Sequence, residues 1–404
     1  MNRRPDPAAV LGFVRERRDA FTGLLRRMVE AESPSAAPER QRAALDVLAG
    51  ALAGLGFRVR VLAGRNSGGQ LYARPVRRTR GGGSQLLLGH ADTVWPVGAL
   101  ADMPFEIDGD VVRGPGVYDM KGGLAMMVVA LEALAHFGLH APLAPLVLVN
   151  TDEETGSWDS RAPVRRLARV ARRAWVLEPS LGPAGRLKTA RKGVARFTVD
   201  VLGRAAHAGL DPGAGASAIL ELSRVVQRLF SMNDPDRGIT VNVGTIDGGL
   251  GPNVVAPRAR AVVDVRAPTA VDAGRIEAAL RALEAETPGT RLSVEGGFGR
   301  PPLERTPRNR ALWRLARNLA AELGIPLEEG VAGGGSDGSF TSLWTATLDG
   351  LGPVGDGAHA PHECLHLGAT LERTALLALL LAAPADAART VENATWTPTS
   401  SSLP

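Results

Sequence analysis

Several side chains with the means to do chemistry fall just after short apolar runs. Residues 86–89 read Leu-Leu-Leu-Gly, and His90, Asp92 and Thr93 follow within four positions. A short apolar run bounded by glycine reads as a buried strand. The period of two then puts His90 and Asp92 on the same side at its carboxyl end. Residues 114–123 form a glycine-rich turn carrying Asp119. A second apolar run, 146–150, leads directly into Thr151-Asp-Glu-Glu-Thr-Gly-Ser157, and a third, 174–177, ends in Glu178-Pro179. A late segment adds His359, His362 and His366.

Each fragment has a plain reading by itself. His and Asp at a strand end serve as turn residues, Asp beside Gly is ordinary turn chemistry, and Glu-Glu starts many solvated helices. Taken together they make a different demand. Adjacent carboxylates in a closed site need cations or protons to balance them. Two metal ions would balance Asp119, Glu154 and Glu178 and leave Glu153 free to act as a base on water. Imidazole mixed with carboxylate suits Zn, Mn, Co or Fe better than Ca or Mg.

The elements that must position these groups alternate between helix and strand. Apolar residues recur at helical spacing through 8–31 and 45–55, the latter ending at Gly56. Strands are expected at 57–63, 70–74, 86–89, 146–150 and 174–177, with helices at 124–135 and 163–170. This is the pattern of an α/β sheet that binds ligands at strand carboxyl ends. From Arg191 the character changes. Strand 193–203 alternates apolar and polar residues, then come helix 214–230, strands 239–246 and 258–266, helix 271–286 and strand 291–295. That βαββαβ order is a complete ferredoxin-like unit, inserted between two parts of the larger fold. The expected division is 1–190 and 302–388 for the larger domain and 191–301 for the insert. Helices 309–323 and 371–381 close the fold, and 389–404 is expected to be a disordered tail.

Composition excludes several classes. The chain has 404 residues, 45% hydrophobic, a length for two or three domains. No apolar stretch reaches the ~18 residues of a membrane span, and the charged start does not resemble a secretory signal. The single cysteine, Cys364, rules out an internal disulfide framework and fits a reducing cytoplasmic compartment. Net charge is only +5, with 47 basic against 42 acidic residues. The basic clusters 74–80 and 161–173 therefore read as solvated faces, and no nucleic-acid partner is expected.

Five segments, in order, carry a family resemblance: Gly89-His-Ala-Asp-Thr93, Gly116-Val-Tyr-Asp-Met-Lys-Gly-Gly123, Thr151-Asp-Glu-Glu-Thr-Gly156, Gly203-Arg-Ala-Ala-His-Ala-Gly209 and His359-Ala-Pro-His-Glu363. Over roughly residues 10–385 the chain resembles the dinuclear-zinc metallopeptidases, a family that includes aminoacylases, succinyl-diaminopimelate desuccinylase, acetylornithine deacetylase and bacterial glutamate carboxypeptidase. Arg191-Lys-Gly193, Asn253, Arg266 and Gly299-Arg-Pro301 look most like the glutamate carboxypeptidase branch. The resemblance implies a zinc-peptidase-like α/β/α catalytic domain and an inserted lid that also makes a homodimer. It implies two Zn ions, with Co or Mn as substitutes, bridged by Asp119. His90 and Glu178 would complete one, Glu154 and His359 the other. Asp92 would orient His90, Glu153 would act as the base, and His207, from a partner subunit, would stabilise the oxyanion. The chain departs from the family at Ala360, where serine is usual. The spacing to Glu363 favours His359 over His362 as the ligand. His136, His140, His362 and His366 read as structural or peripheral, and Cys364 as a small apolar filler.

Specificity is read from Arg266 and Arg300, whose forks suit a carboxylate. The glycine-rich 333–338 segment, with Gly334, Gly335 and Ser336, offers backbone donors for the same purpose. Glutamate rather than aspartate at 178 is associated in the family with carboxypeptidases and acylases. The expected reaction is hydrolysis of an amide whose nitrogen belongs to an amino acid with a free carboxylate, glutamate-like. The substrate would be a small peptide or an N-acyl amino acid. An N-acyl-amino-acid deacylase using the same residues is the alternative. A non-catalytic binding protein would lack a ligand or the base, and none is missing; nothing resembles the phosphate cradle of a two-metal phosphatase.

Overall fold

The computed structural model describes residues 6–77, 82–139 and 141–386. Its organising element is a six-stranded sheet in the order Phe57–Leu62, Gln70–Pro75, Ala144–Asn150, Ser84–His90, Arg173–Val176, Ala346–Leu348. The first two strands run antiparallel to their neighbours, and the rest pair in parallel. Strands buried on both faces read as continuous apolar runs, as Leu86-Leu87-Leu88 does. Leu87, Val147, Val149 and Trp175 face the larger core, under helices Pro7–Glu16, Arg18–Glu30, Pro38–Gly54, Gly122–His136 and Leu367–Ala382. Leu86, Leu88, Leu146, Leu148, Ala174 and Val176 face a smaller core, shared with Val164 of helix Arg161–Val170 and with Phe340. The result is the three-layer α/β/α arrangement expected from the alternating pattern.

The insert forms its own layer. Its four antiparallel strands lie in the order Thr240–Gly248, Arg258–Ala267, Gly193–Leu202, Arg291–Arg300, and helices Ala218–Ser231 and Ala270–Arg281 supply the connections. Phe197, Val199, Val263 and Val265 form its core with Leu222, Val225 and Ile276. This is the ferredoxin-like order, and both chain crossings lie at one end of the sheet. Arg266 and Arg300 stand on the same rung there, each opposite Val194 of the central strand.

Some local expectations needed correction. The helical pattern through 8–31 is two helices, broken at Arg17 (φ −86°, ψ 10°). The break lets the first pack on Leu367–Ala382 and the second on Pro38–Gly54 and Gly122–His136. The closing helix begins at Leu367, not 371. His140 and the whole of the expected tail, 389–404, lie outside the described residues. Among the described residues, no helix is long and apolar enough to cross a membrane.

Candidate active site

Three parallel strands deliver the chemistry from their carboxyl ends. The Ser84–His90 strand brings His90 and, two residues on, Asp92; Ala144–Asn150 leads to Glu153 and Glu154; Arg173–Val176 leads to Glu178. Asp119 comes from the turn before helix Gly122–His136. That helix presses against the strand ends because it starts with glycine: a Cβ on Gly123 would lie 2.1 Å from the Leu177 carbonyl oxygen. His359 arrives on a late turn in a left-handed conformation (φ 61°).

These groups converge. His90 Nε2 lies 3.2 Å from Asp119 Oδ1 and 3.4 Å from Glu178 Oε1. His359 Nε2 lies 3.1 Å from Glu154 Oε1 and 3.6 Å from Asp119 Oδ2. Asp119 thus faces both histidines, one with each oxygen. Donor atoms of His90, Asp119 and Glu154 come within 4.8 Å of one another, as do those of His90, Glu153 and Glu178. Among the described residues, His90 Nε2 and Asp119 Oδ1 are buried without a hydrogen-bond partner. Burying a polar atom unpaired costs about 1–3 kcal/mol. Two such atoms facing each other among carboxylates are what a cation would satisfy, so the donor set fits a metal centre.

Electrostatics agree with that fit. Burial works against charge on His90, but Asp119, Asp92 and Glu178 outweigh it and raise its pKa well above the ordinary value. The bond to Glu154 raises His359 to about 9. Burial pushes Glu153 and Glu154 upward. Burial acts the same way on Glu178, but Arg191, His90 and Lys188 overcome it and hold that carboxyl well below the usual range.

The surrounding shell is built from buried ions. Asp92 has its side chain 3.4 Å and its carbonyl oxygen 3.0 Å from His90 Nδ1. Its carboxylate also accepts from Ser35 Oγ and from the Glu153 and Glu154 amides. It therefore positions the acid loop as well as the histidine. Arg191 bonds Glu178 at 2.8 Å and Asp349 at 2.8 and 3.0 Å, while its remaining nitrogen donates to the Gly334 and Gly335 carbonyls. Arg300 lies 2.7 Å from Glu153 Oε1 and 3.3 Å from Asp337, and also donates to the Glu153 carbonyl and Ser157 Oγ.

The two arginines expected to bind substrate are each already paired with carboxylates. Arg300 is engaged with Glu153 and Asp337. Arg266 is paired with Asp264 on its own strand, at 2.7 and 2.9 Å. Gly334 and Gly335 turn carbonyls toward Arg191, and Ser336 Oγ donates to Asp349. His207 and Asn253 are neighbours on the exposed side of the insert, where the Asn253 carbonyl accepts the Ala208 amide. His207 Nδ1 accepts from the Gly209 and Leu210 amides. Among the described residues, no hydrogen bond or ion pair joins His207 to the acid cluster. His136 stacks on Phe13 with centroids 4.4 Å apart. His362 is exposed, and His366 and Cys364 are half-buried on a short strand. Asp337, Asp349 and the shell role of Glu363 were missed by sequence reasoning; Asp337 lies within the glycine-rich segment and Glu363 within the histidine segment, while Asp349 directly follows the short buried strand Ala346–Leu348.

A cage of imidazoles and carboxylates at the carboxyl ends of an α/β sheet is a site able to hold metal ions. Residues 86–383 match the model of peptidase family M20/M25/M40, and the chain belongs to that family. It is 31% identical to carboxypeptidase G2 of Pseudomonas sp. (strain RS-16), covering 83% of this chain and 82% of that one. It is 32% identical to succinyl-diaminopimelate desuccinylase of Xanthomonas oryzae pv. oryzae (strain PXO99A), covering 70% and 80%. Solved structures share the fold. Aminopeptidase PepT of Bacillus cereus superposes with a TM-score of 0.72 at 20% identity, over 91% of this chain and 98% of that one. The dinuclear metal-binding M20 peptidase YXEP of Bacillus subtilis gives 0.67 at 15%, over 90% and 98%. The protein is a hydrolytic enzyme acting on peptide or amide bonds.

Proposed function

We propose that the enzyme is a two-zinc carboxypeptidase, releasing a C-terminal amino acid with a free carboxylate, glutamate-like, from a small peptide or N-acyl amino acid. One observation carries the reading: His90 Nε2 and Asp119 Oδ1 are buried and unpartnered beside Glu178, Glu154 and Glu153. His90, Asp119 and Glu178 would hold one ion, and Asp119, Glu154 and His359 the other; the imidazole–carboxylate donor set suits zinc, with Co or Mn as substitutes. When bound, the ions supply positive charge that polarises the scissile carbonyl and acidifies water. Glu153, buried and with its pKa pushed up, takes a proton from the attacking water and returns it to the leaving nitrogen. Asp92 holds His90 and the Glu153–Glu154 backbone in place.

The substrate carboxylate is read by Arg266, Arg300, Asn253 and the Gly334–Gly335–Ser336 segment. Arg300 can turn to it by exchanging its bond to Glu153, which would free the base as substrate arrives. His207 stabilises the oxyanion in the partner subunit of a homodimer, in keeping with its exposed place away from its own chain's acids. The insert, residues 191–301, serves as lid and dimer contact. Its free edge strand Thr240–Gly248 supports this, with Ile246 60% exposed and nearby Leu250 75% exposed. A cytoplasmic location fits the single cysteine.

The desuccinylase relative favours a second reading, an N-acyl-amino-acid deacylase with the same residues. The test is a matched panel: one acyl group on varied amino acids, and varied acyl groups on glutamate, with released amine followed by chromatography. A carboxypeptidase of the proposed kind keeps its rate across acyl groups and loses it when glutamate is replaced. Strict dependence on acetyl or succinyl with indifference to the amino acid would establish the deacylase instead.

A further inference from the structure

We infer that Glu363 is a positioning residue for the metal centre: its buried carboxylate locks the Asp119 turn and the His359 turn to each other, and so sets donor spacing. The inference rests on the reading of Asp119 and His359 as ligands. Glu363 is only 1% exposed, and its two oxygens accept four hydrogen bonds. Oε1 takes the Tyr118 and Asp119 amides, both at 3.0 Å. Oε2 takes the Gly116 amide at 2.9 Å and Trp95 Nε1–H at 2.7 Å.

The backbone is shaped for this. Gly116 is left-handed at φ 76°, where a Cβ would lie 2.7 Å from Thr93 Cγ2. Bending there turns three amides of one loop toward a single anion, the concave arrangement of a backbone nest. On the other side, Glu363 follows His359 by four residues, and its own amide donates to the Ala360 carbonyl at 2.9 Å. The next residue, Cys364, pairs with Arg113, just before the Asp119 turn. Trp95 belongs to the segment that follows His90 and Asp92. One carboxylate therefore joins three of the segments that supply the site. Because the amide of Asp119 itself is held, the side chain that faces both His90 and His359 is fixed at its root.

The alternative is a purely structural role, which would lower fold stability without changing the metal affinity of folded molecules. The test uses metal-free wild type and Glu363→Gln, with Zn affinity measured by competition against a chromophoric chelator and Co(II) absorption as a report of geometry. Glutamine keeps the shape but sets an NH2 group against N–H donors. The expected result is a variant folded by circular dichroism, with about 10–100-fold weaker metal binding and an altered Co(II) spectrum. If Glu363→Gln does not fold, Trp95→Phe removes a single donor, and a smaller loss in the same direction is expected. A folded variant with wild-type affinity and an unchanged Co(II) spectrum overturns the inference while wild type still takes up two ions. A wild-type chain that takes up no metal overturns the ligand assignment itself, and this inference with it.

Discussion

Replacing Glu153 by glutamine separates the base from everything else the residue does. The side chain is buried, its pKa is raised by burial, and it contacts Arg300 at 2.7 Å. Glutamine preserves volume and can still accept from Arg300, but it cannot take a proton at neutral pH. A positioned general base contributes about 10²–10⁴-fold. Glu153 would serve both water attack and nitrogen departure, so the upper end applies: a fall in kcat of about 10³–10⁴, or ~4–5.5 kcal/mol. Removing one partner of a buried pair can cost about 3–5 kcal/mol when it strands a charge. Arg300 is not stranded here, because Asp337 lies 3.3 Å away and Ser157 Oγ and the Glu153 carbonyl remain. The stability cost should therefore stay near 1–3 kcal/mol. Steady-state kinetics, metal content and thermal unfolding on the same preparation separate these effects. A Glu153→Gln enzyme retaining a tenth of wild-type kcat with full metal content would refute the assignment.

Arg191→Lys should be far from conservative, since a lysine cannot reproduce the fork that joins Glu178, Asp349 and two carbonyls. A loss of about 1.5–3 kcal/mol in chemical denaturation is expected, together with weaker metal retention on dialysis; unchanged values would show that the network is incidental. Metal uptake should also depend on pH. In the metal-free protein His359 is protonated below about 9 and His90 is shifted upward, whereas a ligand imidazole must be neutral. Binding at neutral pH must therefore release protons, and affinity should rise with pH up to about 9, by up to about two orders of magnitude per unit. Calorimetry in buffers of different ionisation enthalpy measures this directly, and affinity that stays flat between about pH 6 and 8 would contradict it.

The strand-borne part of the site was legible in the sequence because hydrophobic patterning and chemistry coincide there. An apolar run forces burial, and acids and an imidazole gathered at the ends of several such runs together demand cations or protons to balance them. His90, Glu153, Glu154 and Glu178 were visible on those grounds, and the insert was visible because its strands alternate. What sequence could not show is which charges meet. Arg300 reads as an open carboxylate grip until the fold places Glu153 and Asp337 against it. Arg266 reads the same way until Asp264, two residues away on the same face, closes on it. Glu363 was hidden more deeply, because a carboxylate that serves backbone amides leaves no periodic trace; its partners lie 244 to 268 positions away. The break at Arg17 was also invisible, since both helices continue one apolar pattern and only their packing partners differ.

The most direct test is anomalous X-ray scattering at the zinc edge from crystals of the zinc-loaded enzyme. Two peaks should appear, both in contact with Asp119, one flanked by His90 and Glu178 and the other by Glu154 and His359. A single peak, or peaks lying away from Asp119, would contradict the two-metal centre.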